Sequence, residues 1–381
     1  MLFLDNHSTT AIHPEVAEAM SENLAKVGNP HSTSHLVGRQ ANLELLNAKE
    51  IIGNYFGVDG DHVVLTSGAT EANNLALFGA ARHKKREMDK GSYGLISALE
   101  HKCVANAAKE LVKEGIQPEV IPFCEKNGVD LDFIDQKLND DCSYISIMAA
   151  NNETSDALNI FDAAQIASKH NVFFHSDFSQ SMYADTVDLT SSGISAISLS
   201  GHKFRGPPGI GALVCSRPPS KLIDPILHGG LQEEGVRSGT VPVFLAVGLA
   251  KAVDLVGQNL EKTRSSLDGL VKIFLQQLKT KCPDIEINSR NLLGRPGGVN
   301  LYIPDVDAEN LCNSLSPQIA ISSSAACTGT GINVSETLLG MGYGVERARQ
   351  SIRLCFSEEN THDEASYAAD TIAKKIGSLE N

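Results

Sequence analysis

The chain has no Cys-x-x-Cys pair; its eight cysteines, at positions 103, 124, 142, 215, 282, 312, 327 and 355, stand singly. That scatter indicates neither a zinc knuckle nor a disulfide framework, and it suits buried thiols in a reducing compartment. No resident metal is expected. Positive charge is also scarce, with 32 Lys+Arg against 46 Asp+Glu and a formal net charge of −14. Nucleic-acid phosphates and anionic lipid are gripped by clustered Lys/Arg, so direct binding to either is not expected, whereas solubility or docking to a basic protein partner is. No continuous apolar run reaches membrane-spanning length, and Met1-Leu2-Phe3-Leu4 meets Asp5 where a signal peptide would continue its apolar core. The expected location is the cytoplasm. Internal repeats and low-complexity linkers are missing too.

What the chain does have is alternation. Apolar runs at Val63-Val64-Leu65-Thr66, Gly94 to Ser97, Glu119 to Pro122, Tyr144 to Met148, Val172 to Phe174, Ala196 to Leu199 and Gly211 to Val214 are interleaved with helical stretches such as Val104 to Val112 and Ala163 to His170. Strand then helix, repeated, predicts an α/β sheet, largely parallel and covered on both faces. From Pro242 to Leu278 the pattern is long and helical, suiting a connector to a smaller C-terminal domain with strands at Val299 to Ile303 and Ser351 to Leu354. At 381 residues the chain exceeds one usual core, which favours two domains or one with a satellite.

The chemistry starts at Lys203, in Ser200-Gly201-His202-Lys203-Phe204-Arg205, where an apolar run delivers a lysine into a turn rich in Ser, Gly and His. Such an amine can form an imine with the aldehyde of pyridoxal phosphate, and neighbouring Ser and His can bind its phosphate. Asp177 ends the buried run from Val172, where a carboxylate can keep a pyridine nitrogen protonated or simply cap a turn. Thr66-Ser67-Gly68-Ala69-Thr70-Glu71 joins a strand to a helix, and the free amides of that helix start form an anion site, although such junctions are common in any α/β protein. His101 and Asn152 follow other strands at the same sheet edge, where open α/β sheets bind ligands. His101 can stack on a ring and move protons, or be a satisfied structural residue. Cys327 lies in Ser322-Ser323-Ser324-Ala325-Ala326-Cys327-Thr328-Gly329, a segment too polar and flexible for core, which predicts an exposed thiol. The other cysteines read mostly as small buried apolar residues. Arg353, alone in an apolar strand, must meet an internal carboxylate or that of a substrate, the latter favoured for an enzyme acting on amino acids.

In order and approximate spacing, Asp5 to Thr10, Thr66 to Glu71, Glu100-His101-Lys102, Asn151-Asn152-Glu153, Asp177 to Ser181, Ser200 to Lys203, Arg237 to Thr240 and Ser322 to Cys327 resemble the cysteine desulfurases of the NifS/IscS-like branch, within the class-V aminotransferase group of fold-type I enzymes. The resemblance runs through almost the whole chain. It implies a large domain at 15–247 with a mostly parallel seven-stranded sheet, and a smaller α+β domain from 1–14 and 248–381. It implies that Lys203 bears the cofactor as an imine, Asp177 pairs with the pyridine nitrogen, His101 stacks on the ring and Gln180 meets the ring hydroxyl. Ala69, Thr70, Ser200 and His202 would hold the phosphate, Thr240 would reach in from the second subunit of a homodimer, and Asn152 and Arg353 would orient L-cysteine. Cys327 would accept its sulfur, leaving alanine and a persulfide for delivery to an acceptor protein.

Departures accompany the likeness. The family's glycine after Asn-Asn-Glu-x is replaced in Thr154-Ser155-Asp156, so a different local turn is expected. Leu231 and Glu234 stand where glycine and often arginine are common, which bears on the subunit edge. The chain stops at Gly377-Ser378-Leu379-Glu380-Asn381, without the extension by which housekeeping members dock the iron–sulfur scaffold. Together these suggest a specialised sulfur donor, for tRNA thiolation or DNA phosphorothioation, rather than general iron–sulfur cluster assembly. The alternatives are a related lyase acting on selenocysteine or cysteine sulfinate, and a non-catalytic scaffold of the same fold.

Overall fold

The computed structural model describes residues 1–184, 186–324, 326–328 and 331–379, excepting the side chains of 326–328 and 331–333. Its centre is a seven-stranded sheet in the order Val63–Thr66, Gly211–Cys215, Ala196–Ser200, Phe173–Asp177, Cys142–Ser146, Tyr93–Ser97, Gln117–Ile121. Every pairing is parallel except the two made by Gly211–Cys215, which runs against both neighbours. Side-chain alternation divides each strand between two cores. Val63, Leu65, Ile145, Phe174 and Ile197 pack on one face with Ile52 and Leu249, while Val64, Tyr144, Ala196 and Leu213 pack on the other with Leu75 and Leu77 of the helix Ala69–Met88. Burial on both faces explains why these strands read as continuous apolar runs.

A smaller antiparallel sheet, in the order Ser322–Ser323, Ser351–Cys355, Gly298–Tyr302, Glu286–Ile287, forms a separate core with the helix His362–Leu379. The helix Val243–Lys281 serves both cores: Ala246, Leu249 and Val253 face the large sheet, and Leu267, Leu270, Phe274 and Leu278 face the small one. This 39-residue helix contains an 18-residue window of mean hydropathy 1.4, long and apolar enough to cross a membrane by length and composition. It is not a continuous apolar run, since Lys251 and Asp254 interrupt it. Its apolar side chains are used in packing the two cores.

The N-terminal segment ties the two parts together. Leu2–Phe3 pairs with Ile319–Ala320, Leu4 enters the smaller core, Asn6 Nδ2 donates to Cys355 O at 2.7 Å, and Thr10 Oγ1 donates to His202 O at 2.9 Å.

Candidate active site

The parallel strands end along one edge, and most of the candidate residues come from the segments that follow them. Thr66 leads to Ser67-Gly68 and the helix start, Ser97 to His101, Ser146 to Asn152, Asp177 to Gln180, and Ser200 to Lys203. A cavity of about 560 Å³ opens there, lined among others by Ala69, Thr70, His101, Asn152, Asp177, Gln180, Ser200, His202, Lys203 and Arg353. Close approach of the antiparallel strand to this edge requires Gly211, where a Cβ would lie 2.7 Å from Gly68 Cα.

Lys203 ends a single helical turn, Gly201–Lys203, and its Nζ donates to His7 O and Ser8 O, both at 2.7 Å. Burial first, then the Arg353 and Arg295 guanidiniums, pull its pKa from 10.5 to about 8, against the opposing pull of Asp177 and Asp5. About one amine in ten is then unprotonated at pH 7 and able to attack a carbonyl. Asp177 is buried; its Oδ2 accepts from Asn73 Nδ2 at 2.7 Å and its Oδ1 from Ser179 N at 3.0 Å. It therefore caps a turn and also faces the cavity, so the two readings of this residue coexist. The helix Ala69–Met88 begins at Gly68, φ +148°, with no side-chain cap, while Glu71 Oε2 accepts from Ser67 N at 2.7 Å and its other oxygen from Arg237 Nε at 2.6 Å.

His101 is the N-cap of the helix Lys102–Glu110, its Nδ1 accepting from Cys103 N at 3.2 Å. Burial lowers its pKa, with Asp177 acting in the opposite sense. His202 Nδ1 lies 3.1 Å from Thr9 Oγ1. Gln180 Nε2 donates to His7 O at 2.9 Å, whereas its Oε1 is buried without a partner. Arg353, paired in register with both Asn300 and Ser322, donates from Nη1 to Asn152 O at 3.0 Å and from Nη2 to Asp5 Oδ1 at 3.4 Å, leaving Nε unpartnered. An internal carboxylate does meet it, at long range.

Thr240 is exposed and not among the cavity-lining residues of its own chain. The Cys327 backbone pairs with Ile332 in a short hairpin, and its side chain lies outside the described residues. Sequence reasoning missed Asn73, Cys103 and His7. Cys103 in particular is no plain core thiol, since it lines the cavity with Sγ 2.9 Å from His101 Nδ1 and 3.0 Å from Asn73 Nδ2. Its position two residues after an N-cap histidine was the available signal. Ser155, where glycine was expected, adopts the left-handed backbone itself, φ +65°, and its N donates to Asn151 O at 3.1 Å.

A buried amine facing a carboxylate beside an uncapped helix start, at the edge of a mostly parallel seven-stranded sheet, is the architecture of a fold-type I pyridoxal-phosphate enzyme. Residues 2–367 match the aminotransferase class-V family, and the chain belongs to it. The cysteine desulfurase IscS of Rickettsia prowazekii (strain Madrid E) is 35% identical over 99% of this chain and 92% of its own length. A solved NifS-like protein superposes with a TM-score of 0.90 at 28% identity, covering 99% of both chains. DndA from Streptomyces lividans gives 0.78 at 29% identity, covering 92% of this chain and 98% of its own. The family's cofactor is pyridoxal phosphate. The cavity suits it in size, in its amine, in the uncapped helix start for a phosphate, and in the orphaned Gln180 Oε1 for a ring hydroxyl.

Proposed function

We propose that this chain is a pyridoxal-phosphate-dependent cysteine desulfurase, converting L-cysteine to L-alanine and leaving the sulfur as a persulfide on Cys327. The observation that carries the reading is the convergence of Lys203, Asp177, His101 and Arg353 on one cavity, in a chain whose curated relatives are cysteine desulfurases. When bound, the cofactor supplies an electrophilic carbon and a ring that stores the electron pair released at the substrate α carbon. Lys203 Nζ, with its pKa near 8, holds the cofactor and then accepts and returns the α proton. Asp177, kept aimed by Asn73, would hold positive charge at the pyridine nitrogen. His101 would stack on the ring, Gln180 Oε1 would accept from the ring hydroxyl, and Ala69, Thr70, Ser200 and His202 would hold the phosphate. Asn152 and Arg353 orient the substrate, with the free Arg353 Nε available to its carboxylate. The Cys327 sulfur attacks the substrate sulfur; one S–S bond forms, one C–S bond breaks, and the three-carbon product gains a proton to leave as alanine.

A homodimer is part of the proposal. Leu36, Leu43 and Leu46 are exposed at helical spacing on Leu36–Tyr55, an apolar face suited to a second copy, and Thr240 would reach the partner's cavity. The division into 15–247 and 1–14 with 248–381 is supported by the separate apolar cluster of the small sheet. A cytoplasmic site of action is supported by the free thiols of the described cysteines. The sulfur goes to an acceptor protein; the specialised-donor reading is supported by the likeness to DndA, and a pull-down dominated by a cluster scaffold would overturn it. The test of the activity is alanine and protein-bound persulfide after adding L-cysteine, with Cys327→Ala alongside. Persulfide lost in the variant supports the reading; equal alanine from both would favour a lyase that needs no thiol.

A further inference from the structure

We propose that Cys103 is a positioning residue: its thiol joins its own backbone N–H in donating to His101 Nδ1, which holds the neutral imidazole in the Nε2–H form, and it links that ring, through Asn73, to Asp177. The hydrogens can be counted. The Cys103 backbone N–H can only donate, and it points at His101 Nδ1 from 3.2 Å, so Nδ1 carries the lone pair and Nε2 the hydrogen. The same Nδ1 lies 2.9 Å from Cys103 Sγ, so the S–H donates to it. Asn73 Nδ2 has two hydrogens, one for Asp177 Oδ2 at 2.7 Å and one for Cys103 Sγ at 3.0 Å. With the S–H on Nδ1, Sγ is left to accept from Asn73 and from the neighbouring Thr70 hydroxyl, and turning the thiol toward Asn73 would set two donors against each other.

The surroundings agree. Burial, then the Asp177 charge, push the Cys103 thiol up to about 12, so it keeps the proton it donates and is not a nucleophile at neutral pH. The charged groups acting on His101 are Asp177, which favours its protonation, and Lys203, Lys102 and Arg353, which oppose it; the covering of the ring acts with the three cations, and together they outweigh Asp177 and lower its pKa, although the residue as a whole keeps an exposed side. A donor fixed at Nδ1 disfavours protonation there further, leaving Nε2–H as the edge the ring can offer.

The test reads His101 itself, without substrate, and so stands apart from the desulfurase assignment. In 15N-histidine-labelled protein, with His101→Gln used to assign the resonance, wild type shows an unprotonated Nδ1, a protonated Nε2, and a titration midpoint below 6.5. Cys103→Ala removes the S–H donor and raises the midpoint by about half a pH unit or more, while the backbone N–H of residue 103 keeps the Nε2–H tautomer. Cys103→Ser supplies an O–H in its place and restores the midpoint, and the acid limb of kcat/KM moves in step. Unchanged His101 shifts and midpoint in Cys103→Ala overturn the proposal, as does a folded Cys103→Ser that behaves like the alanine variant.

Discussion

Ser155 holds a left-handed backbone, φ +65°, that glycine would adopt freely, yet its side chain is fully buried and its Oγ lies 2.8 Å from His7 Nε2. Two opposing terms meet at this residue. The left-handed conformation costs a side-chain-bearing residue about 1–2 kcal/mol. Losing the hydroxyl would leave a buried imidazole nitrogen unpartnered for about 1–3 kcal/mol, and His7 Nδ1 is already buried without a partner. Collapse cannot rescue the site cheaply: the facing residue is Gly298, where a Cβ would fall 2.1 Å from Ser155 Oγ and 2.5 Å from His7 Nε2, so packing is close on that side. Ser155→Ala keeps the strain and loses the bond, and should destabilise by about 2 kcal/mol. Ser155→Gly loses the bond but relieves the strain, and should fall about 1 kcal/mol short of the alanine variant's loss while remaining below wild type.

Urea unfolding of the cofactor-loaded protein, at fixed protein and cofactor concentrations, measures both. His7→Leu supplies the cross-check: combined with Ser155→Ala, the pair should cost about 1 kcal/mol less than the two separate losses added together, because neither partner is then stranded. A glycine variant more stable than wild type by about 1 kcal/mol would refute the reasoning, since backbone strain would then outweigh the hydrogen bond. The effect also reaches the site. His7 O accepts from Lys203 Nζ and Gln180 Nε2, so a loosened His7 should lower kcat as well as stability.

Glu100 is buried, and burial chiefly raises its pKa to about 8, against the donors Ser97 Oγ and Met148 N. It is neutral in the folded state at pH 7 and ionised in the unfolded chain above its ordinary 4.5, so its contribution to stability is present below 4.5 and is lost as pH rises through 8. Glu100→Gln should therefore gain on wild type between pH 5 and 8, by at most about 1.4 kcal/mol per pH unit, and a flat difference in urea midpoints would exclude this. Arg353→Gln should raise the KM for L-cysteine tenfold or more, about 1.4 kcal/mol of lost carboxylate binding, with a smaller effect on kcat; the reverse split in steady-state kinetics would remove Arg353 from substrate recognition. Lys49 and Glu233 form a buried ion pair at 3.1 Å, so Lys49→Met should destabilise by about 3 kcal/mol by stranding the carboxylate, and adding Glu233→Gln should recover part of it. Melting curves that leave Lys49→Met unchanged would show the pair contributes nothing.

The sheet was legible because its strands are buried on both faces: Val63-Val64-Leu65-Thr66 announces itself whichever way each side chain points. At the edge the signal weakens. The strand Gln117–Ile121 begins two residues before its apolar run and contains Pro118, which an edge position tolerates because one side of the strand has no partner. Most of the candidate residues legible in the sequence lie at or after a strand's end, since the fold rule carries them to one place, whereas Arg353 was legible as a lone charge within the apolar strand Ser351–Cys355. Those missed are joined only through space: Asn73 to Asp177 across 104 positions, His7 to Ser155 across 148. No periodicity links such pairs. The chain's departures show what that hides. Glu233 and Glu234 both adopt positive φ, +47° and +55°, in the loop where glycine was expected, and the first is anchored by Lys49 and by Leu65 N at 3.1 Å. That anchored loop runs directly into Arg237, which grips Glu71 in the first turn of the cavity's helix. A residue read as an altered subunit edge is thus mechanically continuous with the uncapped helix start, and strain held by a buried ion pair on one side becomes positional order on the other.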